Sequence, residues 1–205
     1  MCKVTQAASI SPPPDRKQRA PELDEVTIAL AQRGDLRARR LLVDRYQRPV
    51  LALVSRLLRG SADPALVEDI AQETFLRVFR ALPKFDRSGP ARLSTWILTI
   101  ASHRTIDELR KRRIETRPFD PSSFEVPAND RADLEAERRM LARLLGDAIE
   151  SLSPEYRAAF VLREYHGLEY AEIASALSID LGTVKSRLNR ARSRLRRALQ
   201  EVYHA

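Results

Sequence analysis

Tyr170-Ala-Glu-Ile-Ala-Ser-Ala-Leu-Ser-Ile-Asp-Leu-Gly-Thr-Val-Lys-Ser-Arg-Leu-Asn-Arg-Ala-Arg192 is the stretch on which the reading of this chain turns. Tyr170 to Leu177 carries apolar residues at helical spacing, a short interruption follows, and a second helical pattern starts at Leu181. Counted from Tyr170, Ala174 stands at the fifth position, where a small side chain lets two helices approach, and Val184 at the fifteenth, where it packs into the core. Ser178 occupies the turn position where glycine is usual. The turn therefore either takes a left-handed residue, at a cost of about 1–2 kcal/mol, or adopts another geometry. Asp180 reads as the N-cap of the second helix. The whole is a helix-turn-helix.

On the second helix Val184, Leu188, Ala191, Leu195 and Leu199 form an apolar stripe, which places Ser186, Asn189, Arg190, Ser193 and Arg197 on the opposite side. Lys185 to Arg197 holds seven basic side chains and no acidic one. Such a face suits DNA, where cations hold phosphates and an arginine pairs bidentately with a guanine edge. Arg190 is the best candidate for base reading. The plainer alternative is a solvated cationic face on an ordinary amphipathic helix.

Bulk properties agree with a polyanionic partner. The 205 residues carry a net charge of +8 and a pI near 10.1, although charge alone does not separate nucleic acid from a membrane surface. The charge is uneven: residues 22–113 hold 18 basic and 12 acidic side chains, residues 114–137 hold 2 and 7, and residues 138–205 hold 12 and 8. Two basic blocks flank an acidic strap. No apolar run approaches the length of a membrane span and no secretory h-region opens the chain, so a cytoplasmic location is expected. Cys2 has no intrachain disulfide partner, and His103, His166 and His204 are too scattered to mark a metal site. No metal or cofactor is expected.

The chain divides by composition. Residues 1–21, with Pro12, Pro13, Pro14 and Pro21 and few apolar side chains, read as a disordered tail. A helical domain is expected over residues 22–113. In it Gly34 stops a first helix, Pro49 breaks or kinks a second, and Asp63-Pro64 caps a third that Pro83 ends. Along that third helix Val67, Ile70, Ala71, Thr74, Phe75, Val78 and Leu82 share a core face, and Asp69, Gln72, Glu73, Leu76, Arg77 and Arg80 share the other. Residues 84–93 read as a loop, followed by a helix from about Ser94 to Arg113. Residues 114–133 hold three prolines without a helical period and read as a flexible linker, and residues 134–205 form a second helical domain. With neither a strand pattern nor an internal repeat, the fold class is all-α, two helical domains joined by an acidic linker.

Asp69-Ile-Ala-Gln-Glu-Thr-Phe-Leu-Arg77, Leu93-Ser-Thr-Trp-Ile-Leu-Thr-Ile-Ala101, Ile106-Asp-Glu-Leu-Arg-Lys-Arg-Arg113 and Gly182-Thr-Val-Lys-Ser-Arg-Leu-Asn-Arg-Ala-Arg192, in that order, resemble the extracytoplasmic function (ECF) sigma factors of bacterial RNA polymerase. The resemblance covers about residues 22–202. It implies a factor without catalytic chemistry that directs core RNA polymerase to promoters and assists melting of the −10 element. Asp69, Gln72, Glu73 and Arg77 would bind polymerase. Trp96, His103, Arg104, Arg110, Lys111 and Arg113 would meet the −10 DNA, with the loop from Phe85 to Leu93 as the pocket for an extruded base. Thr183, Lys185, Ser186, Arg187, Asn189 and Arg190 would meet the −35 DNA, and an anti-sigma factor would be a further partner. The sequence departs from the family pattern at His103, where asparagine is frequent, and at Ser178.

Several alternatives stay open on the residues alone. Trp96 serves either as a core side chain or as an aromatic platform for an exposed base. The acidic linker either avoids DNA or, by the resemblance, threads toward the polymerase active-site channel. A helix-turn-helix activator with a sensing N-terminal domain is the competing function, and a membrane-surface binder a distant third. No nucleophile, base and orienting group cluster in motif form, which leaves an enzyme with least support.

Overall fold

The computed structural model of the chain describes residues 22–58, 63–89, 91–115 and 133–203. The expected tail over residues 1–21 and residues 116–132 of the expected linker lie outside the described residues. Within them the fold is all-helical: α1 (Glu25–Gln32), α2 (Leu36–Leu58), α3 (Pro64–Ala81), a 3-10 turn (Leu82–Lys84), α4 (Leu93–Glu115), α5 (Asp133–Glu150), α6 (Pro154–Glu164), α7 (Tyr170–Leu177) and α8 (Leu181–Tyr203). No helix among the described residues is long and apolar enough to cross a membrane, and none of their His, Cys, Asp and Glu side chains cluster as a metal site.

Local chemistry sets the boundaries. The Asp24 carboxylate accepts from the Thr27 backbone N–H at 2.8 Å and caps α1, and Gly34 ends it with φ +95°. Asp63 caps α3 through the Ala65 N–H at 3.0 Å, with Pro64 at the first helical position. Pro83 sits inside the 3-10 turn, so the chain tightens before it leaves the helix. Of the break or kink expected at Pro49, the break does not occur: α2 runs from Leu36 to Leu58 as one helix with Pro49 inside it. Losing one helical hydrogen bond at proline costs about 3 kcal/mol. Here Tyr46, Val50, Leu53, Val54, Leu57 and Leu58, all buried around it, outweigh that penalty, since each buried apolar side chain contributes about 1.5–3 kcal/mol.

The first bundle packs α2 against α1, α3 and α4. Glu22 ties its start to α4: the carboxylate accepts from the Tyr46 hydroxyl at 2.9 Å, from the Ser94 N–H at 3.2 Å and from the Ser94 hydroxyl. A residue more than seventy positions upstream thus satisfies an orphan N–H in the first turn of α4. The second bundle sets α8 against α5, α6 and α7.

The two bundles also touch, through α6 against α2 and through α6 and α7 against α4. Arg157, 6% exposed, donates through Nη1 to the Leu57 carbonyl at 2.7 Å and through Nη2 to the carbonyls of Glu150 and Leu152. Arg56 lies over the Tyr165 ring at 4.3 Å, and the Thr95 hydroxyl donates to Glu172 at 3.0 Å. Beside Arg56, His166 has an enclosed Nε2 without a hydrogen-bond partner. Burial, with repulsion from Arg56, pushes its pKa down from 6.5 to about 3.

His166 therefore stays neutral in the folded protein while the unfolded chain takes up a proton below 6.5. The His166 contribution to stability is constant above that value and falls as pH drops toward about 3. Between pH 7.5 and 5 the protein should lose about 2 kcal/mol more than His166→Phe does, as measured by denaturant unfolding of each at both pH values. Equal losses would show that His166 is not the group responsible.

Candidate functional site

α3 separates its two sets of side chains as the helical period requires. Ile70, Ala71, Thr74, Phe75 and Val78 are buried, while Asp69, Gln72, Leu76, Arg77 and Arg80 are exposed. Glu73 lies at the edge of the exposed face with both oxygens engaged: Oε1 accepts from Arg77 at 2.7 Å and Oε2 from Arg104 at 2.5 Å. The Arg104 hydrogen bond leads in holding its pKa below the usual carboxylate range. Leu76, 56% exposed, adds an apolar side chain to this polar face.

α4 carries the next set. Trp96, His103 and Arg110 recur at seven-residue steps, two helical turns each, and so line up along one edge of the helix. Arg110 and Lys111 are exposed, and His103 is half-buried. Arg104 lies round the helix from this edge, 18% exposed, and binds Glu73 and, at 3.0 Å, Glu108. The side chain of Arg113, which lies in the last turns of α4, falls outside the described residues.

Trp96 is half-buried, and its ring lies 5.0 Å from that of Phe85 at an interplanar angle of 40°. This geometry is compatible with either reading of Trp96, since one part packs and another reaches the surface. The loop that brings Phe85 there is clamped from α1: Gln32 Nε2 donates to the Leu82 carbonyl at 3.0 Å and to the Phe85 carbonyl at 2.7 Å. Farther along, Asp86 accepts from the Ser88 hydroxyl at 2.7 Å and from its backbone N–H at 2.9 Å, which lowers the Asp86 pKa. A cavity of about 380 Å³ opens between α1 and this loop, lined by Glu25, Gln32, Phe85, Asp86, Arg87 and Ser88. Gln32 was not legible as a site residue, because nothing in its local sequence announces a partner some fifty positions away.

The helix-turn-helix is α7 and α8. Ser178 takes the left-handed conformation, φ 54° and ψ 48°, the first of the two geometries open to it. Glu169 and Glu172 form a capping box at the start of α7. Asp180 caps α8, accepting from the Thr183 N–H at 2.8 Å and from its hydroxyl at 2.6 Å, so the Thr183 side chain is committed to the cap. Val184, Leu188, Ala191 and Leu195 are buried, while Lys185, Ser186, Asn189, Arg190, Ser193 and Arg197 are exposed. Arg187 is half-buried. Tyr156 of α6 stands beside the cationic face: its hydroxyl accepts from Arg190 at 3.2 Å, and Arg194 lies over its ring at 5.0 Å. The Arg190 hydrogen bond is the main cause of a lowered Tyr156 pKa. Tyr156 too is absent from the sequence-derived set.

Comparison with known proteins gives two family matches. Residues 42–114 match sigma-70 region 2, and residues 142–195 match sigma-70 region 4. The chain is 34% identical over 190 residues to the RNA polymerase sigma-H factor of Pseudomonas aeruginosa, covering 88% of this chain and 96% of that protein. It is 34% identical over 193 residues to the ECF RNA polymerase sigma-E factor of Escherichia coli K12, covering 87% and 95%. Among solved structures it is similar to CnrH in complex with the cytosolic domain of CnrY, with TM-score 0.62, 27% identity and 87% and 97% of the two chains covered. It is also similar to RpoE in complex with the anti-sigma factor NepR from Bartonella quintana, with TM-score 0.59, 25% identity and 78% and 96% covered.

Proposed function

Because the chain belongs to the extracytoplasmic function sigma factors of the sigma-70 family, with a region 2 and a region 4, we propose that its two bundles divide the promoter between them. The protein is an RNA polymerase sigma factor acting in transcription initiation. In our reading residues 22–113 bind core polymerase and the −10 element, and residues 134–205 bind the −35 element. The linker between them is acidic, and the protein works in the cytoplasm. The observation that carries the division is that α8 offers a continuous cationic face, whereas α4 offers Trp96 packed on Phe85, a ring that lines the cavity at the loop. A cationic helix suits duplex DNA. An aromatic ring beside a cavity large enough for one base suits an unpaired strand.

Asp69, Gln72, Glu73 and Arg77 are proposed as the polymerase contact, with Leu76 as its apolar member. Trp96, His103, Arg110, Lys111 and Arg113 are proposed for the −10 strand. Arg104, bound to two carboxylates, holds α4 against α3 before it meets any phosphate. Lys185, Ser186, Arg187, Asn189 and Arg190 are proposed for the −35 duplex, with Thr183 setting the start of the helix. CnrH and RpoE were each solved with a bound partner. By that likeness an anti-sigma factor is proposed for this chain.

Transcription by core polymerase with this protein on fragmented genomic DNA, with transcript starts mapped, tests the function. A shared pair of upstream elements at the starts is expected, and starts no different from those of core polymerase alone would overturn it. The −10 role has its own test. Trp96→Ala should slow open-complex formation on duplex promoters by about 10-fold or more, since base stacking on an aromatic ring contributes about 1–3 kcal/mol. On a promoter already opened by mismatches the rate should recover. An equal defect on both templates would make Trp96 a packing residue only.

A further inference from the structure

α1 lies outside both family matches, which begin at residues 42 and 142, yet it holds the loop proposed to read the −10 strand. The described residues between Phe85 and Arg92 belong to no helix or strand. Their local hydrogen bonds join Asp86 to the Ser88 hydroxyl and N–H, and the Gly89 N–H to the Asp86 carbonyl at 3.4 Å. Such bonds shape a turn without fixing where it lies on the protein.

Residues 22–32 supply that placement at three points. At the entrance to the loop, Gln32 commits both of its amide hydrogens to carbonyls outside its own helix, those of Leu82 at 3.0 Å and Phe85 at 2.7 Å. The two carbonyls stand at either end of the 3-10 turn, so one side chain spans the point where the chain leaves α3. In the middle, Arg87 donates to the Glu25 carbonyl at 3.4 Å, a long and exposed bond. At the exit, Glu22 accepts from the Ser94 N–H and hydroxyl and has Arg92 at 3.6 Å. Gln32 is the closest of the three to the base-reading part. It fixes the backbone of Phe85, whose ring meets Trp96, and Phe85, Asp86, Arg87 and Ser88 line the cavity beside it. A site on a loop selects among bases only as far as its supporting contacts hold its shape, and about 1 Å of slack is enough to lose a hydrogen-bonded fit.

We infer that Gln32 is a positioning residue for promoter selectivity: it holds the loop of residues 84–93 in the shape that selects a −10 base, which makes α1 part of the selecting machinery although it precedes the matched region 2. The inference rests on the −10 reading of that loop. Gln32 acts through the loop backbone, and the residues that meet the base are those of the loop and Trp96.

The test uses the full chain with core polymerase on a promoter library randomised across the −10 element, with transcripts sequenced to give the preference at each position. Asp86→Ala, a change within the loop, marks the position that the loop reads. Gln32→Leu, which removes both donors, should flatten preference at that same position by about 10-fold, the order of discrimination that one well-placed base contact supplies. Preference at −35 and affinity for polymerase, the latter titrated separately, should stay as they are in the unaltered protein. Gln32→Glu keeps the length and polarity of the side chain but is an acceptor only at neutral pH, so it should flatten the same position and decides the matter if Gln32→Leu does not fold. A shift with Asp86→Ala and none with either Gln32 variant would overturn the inference and leave the loop reading standing. No shift with any of the three would overturn both. A loss spread over all positions together with weaker polymerase binding would make Gln32 a fold-stabilising residue and overturn the inference as well.

Discussion

Asp69→Lys with Glu73→Lys should reduce affinity for core RNA polymerase by 100-fold or more while helical content stays that of the unaltered protein. Asp69 stands on the face of α3 that the first bundle leaves uncovered, and Glu73 at its edge, near the exposed Leu76. A desolvated charge at a protein interface that loses its partner costs about 2–5 kcal/mol, and reversal adds repulsion to that loss. Glu73 also binds Arg104 inside the protein, so the two positions must be separated. Asp69→Lys alone leaves the Glu73 pairs intact and should give most of the effect. Glu73→Gln keeps the shape and one acceptor oxygen and should cost less than the reversal. Titration of labelled core polymerase, with circular dichroism on each variant, provides the measurement. Unchanged polymerase affinity in the double variant would remove this face from the interface.

The second large effect is expected at Arg190. Its guanidinium projects from α8 away from the buried stripe and is steadied by the Tyr156 hydroxyl at 3.2 Å. Arg190→Ala should weaken binding to the preferred −35 duplex by about 1–3 kcal/mol, or 5- to 150-fold, and relax preference at one base pair. Replacing a cation that only holds phosphate instead weakens all sequences alike and lowers the salt dependence by about one unit. Arg197→Ala, farther along the same face, provides that contrast. Competition binding over a panel of single-base variants separates the two patterns, and a uniform loss for Arg190→Ala would make it a phosphate contact. Tyr156→Phe, which removes the hydroxyl and keeps the ring under Arg194, should reproduce a small part of the Arg190 effect.

The elements that were legible in the sequence share one property: their signals are local. Asp63-Pro64, Gly34 and Asp180 mark helix ends through bonds to residues two or three positions away. The split faces of α3 and α8 follow from helical period, because each buries one side only. Pro49 does not break α2 for the complementary reason. Its local cost is real, but the packing of Leu53, Val54 and Leu57 against distant helices decides the outcome. The burial of Thr95, Ser102 and Thr105 on α4 was illegible because they are not apolar, and burial of small hydroxyl residues leaves no periodic trace. Among the site residues, motif positions named Trp96 and Arg104 together, and the fold pulls them apart. Arg104 turns inward to Glu73, while Trp96 sits by the loop that Gln32 holds.

The double engagement of Glu73 makes α3 and α4 thermodynamic reporters of one another. Its two oxygens are divided between Arg77 and Arg104, so under the proposed assignment a polymerase cation that drew on this carboxylate would draw on a bond that also holds α4. Linkage requires the exchange to be symmetrical: whatever factor polymerase imposes on the affinity of the α4 edge for the −10 strand, the strand imposes on the affinity for polymerase. Glu73 substitutions must then be scored as a coupling. The effect of a substitution on polymerase affinity measured without DNA and the effect measured on the promoter complex differ by the change it makes in that shared factor, to which the Glu73 pairs with Arg77 and Arg104 both contribute.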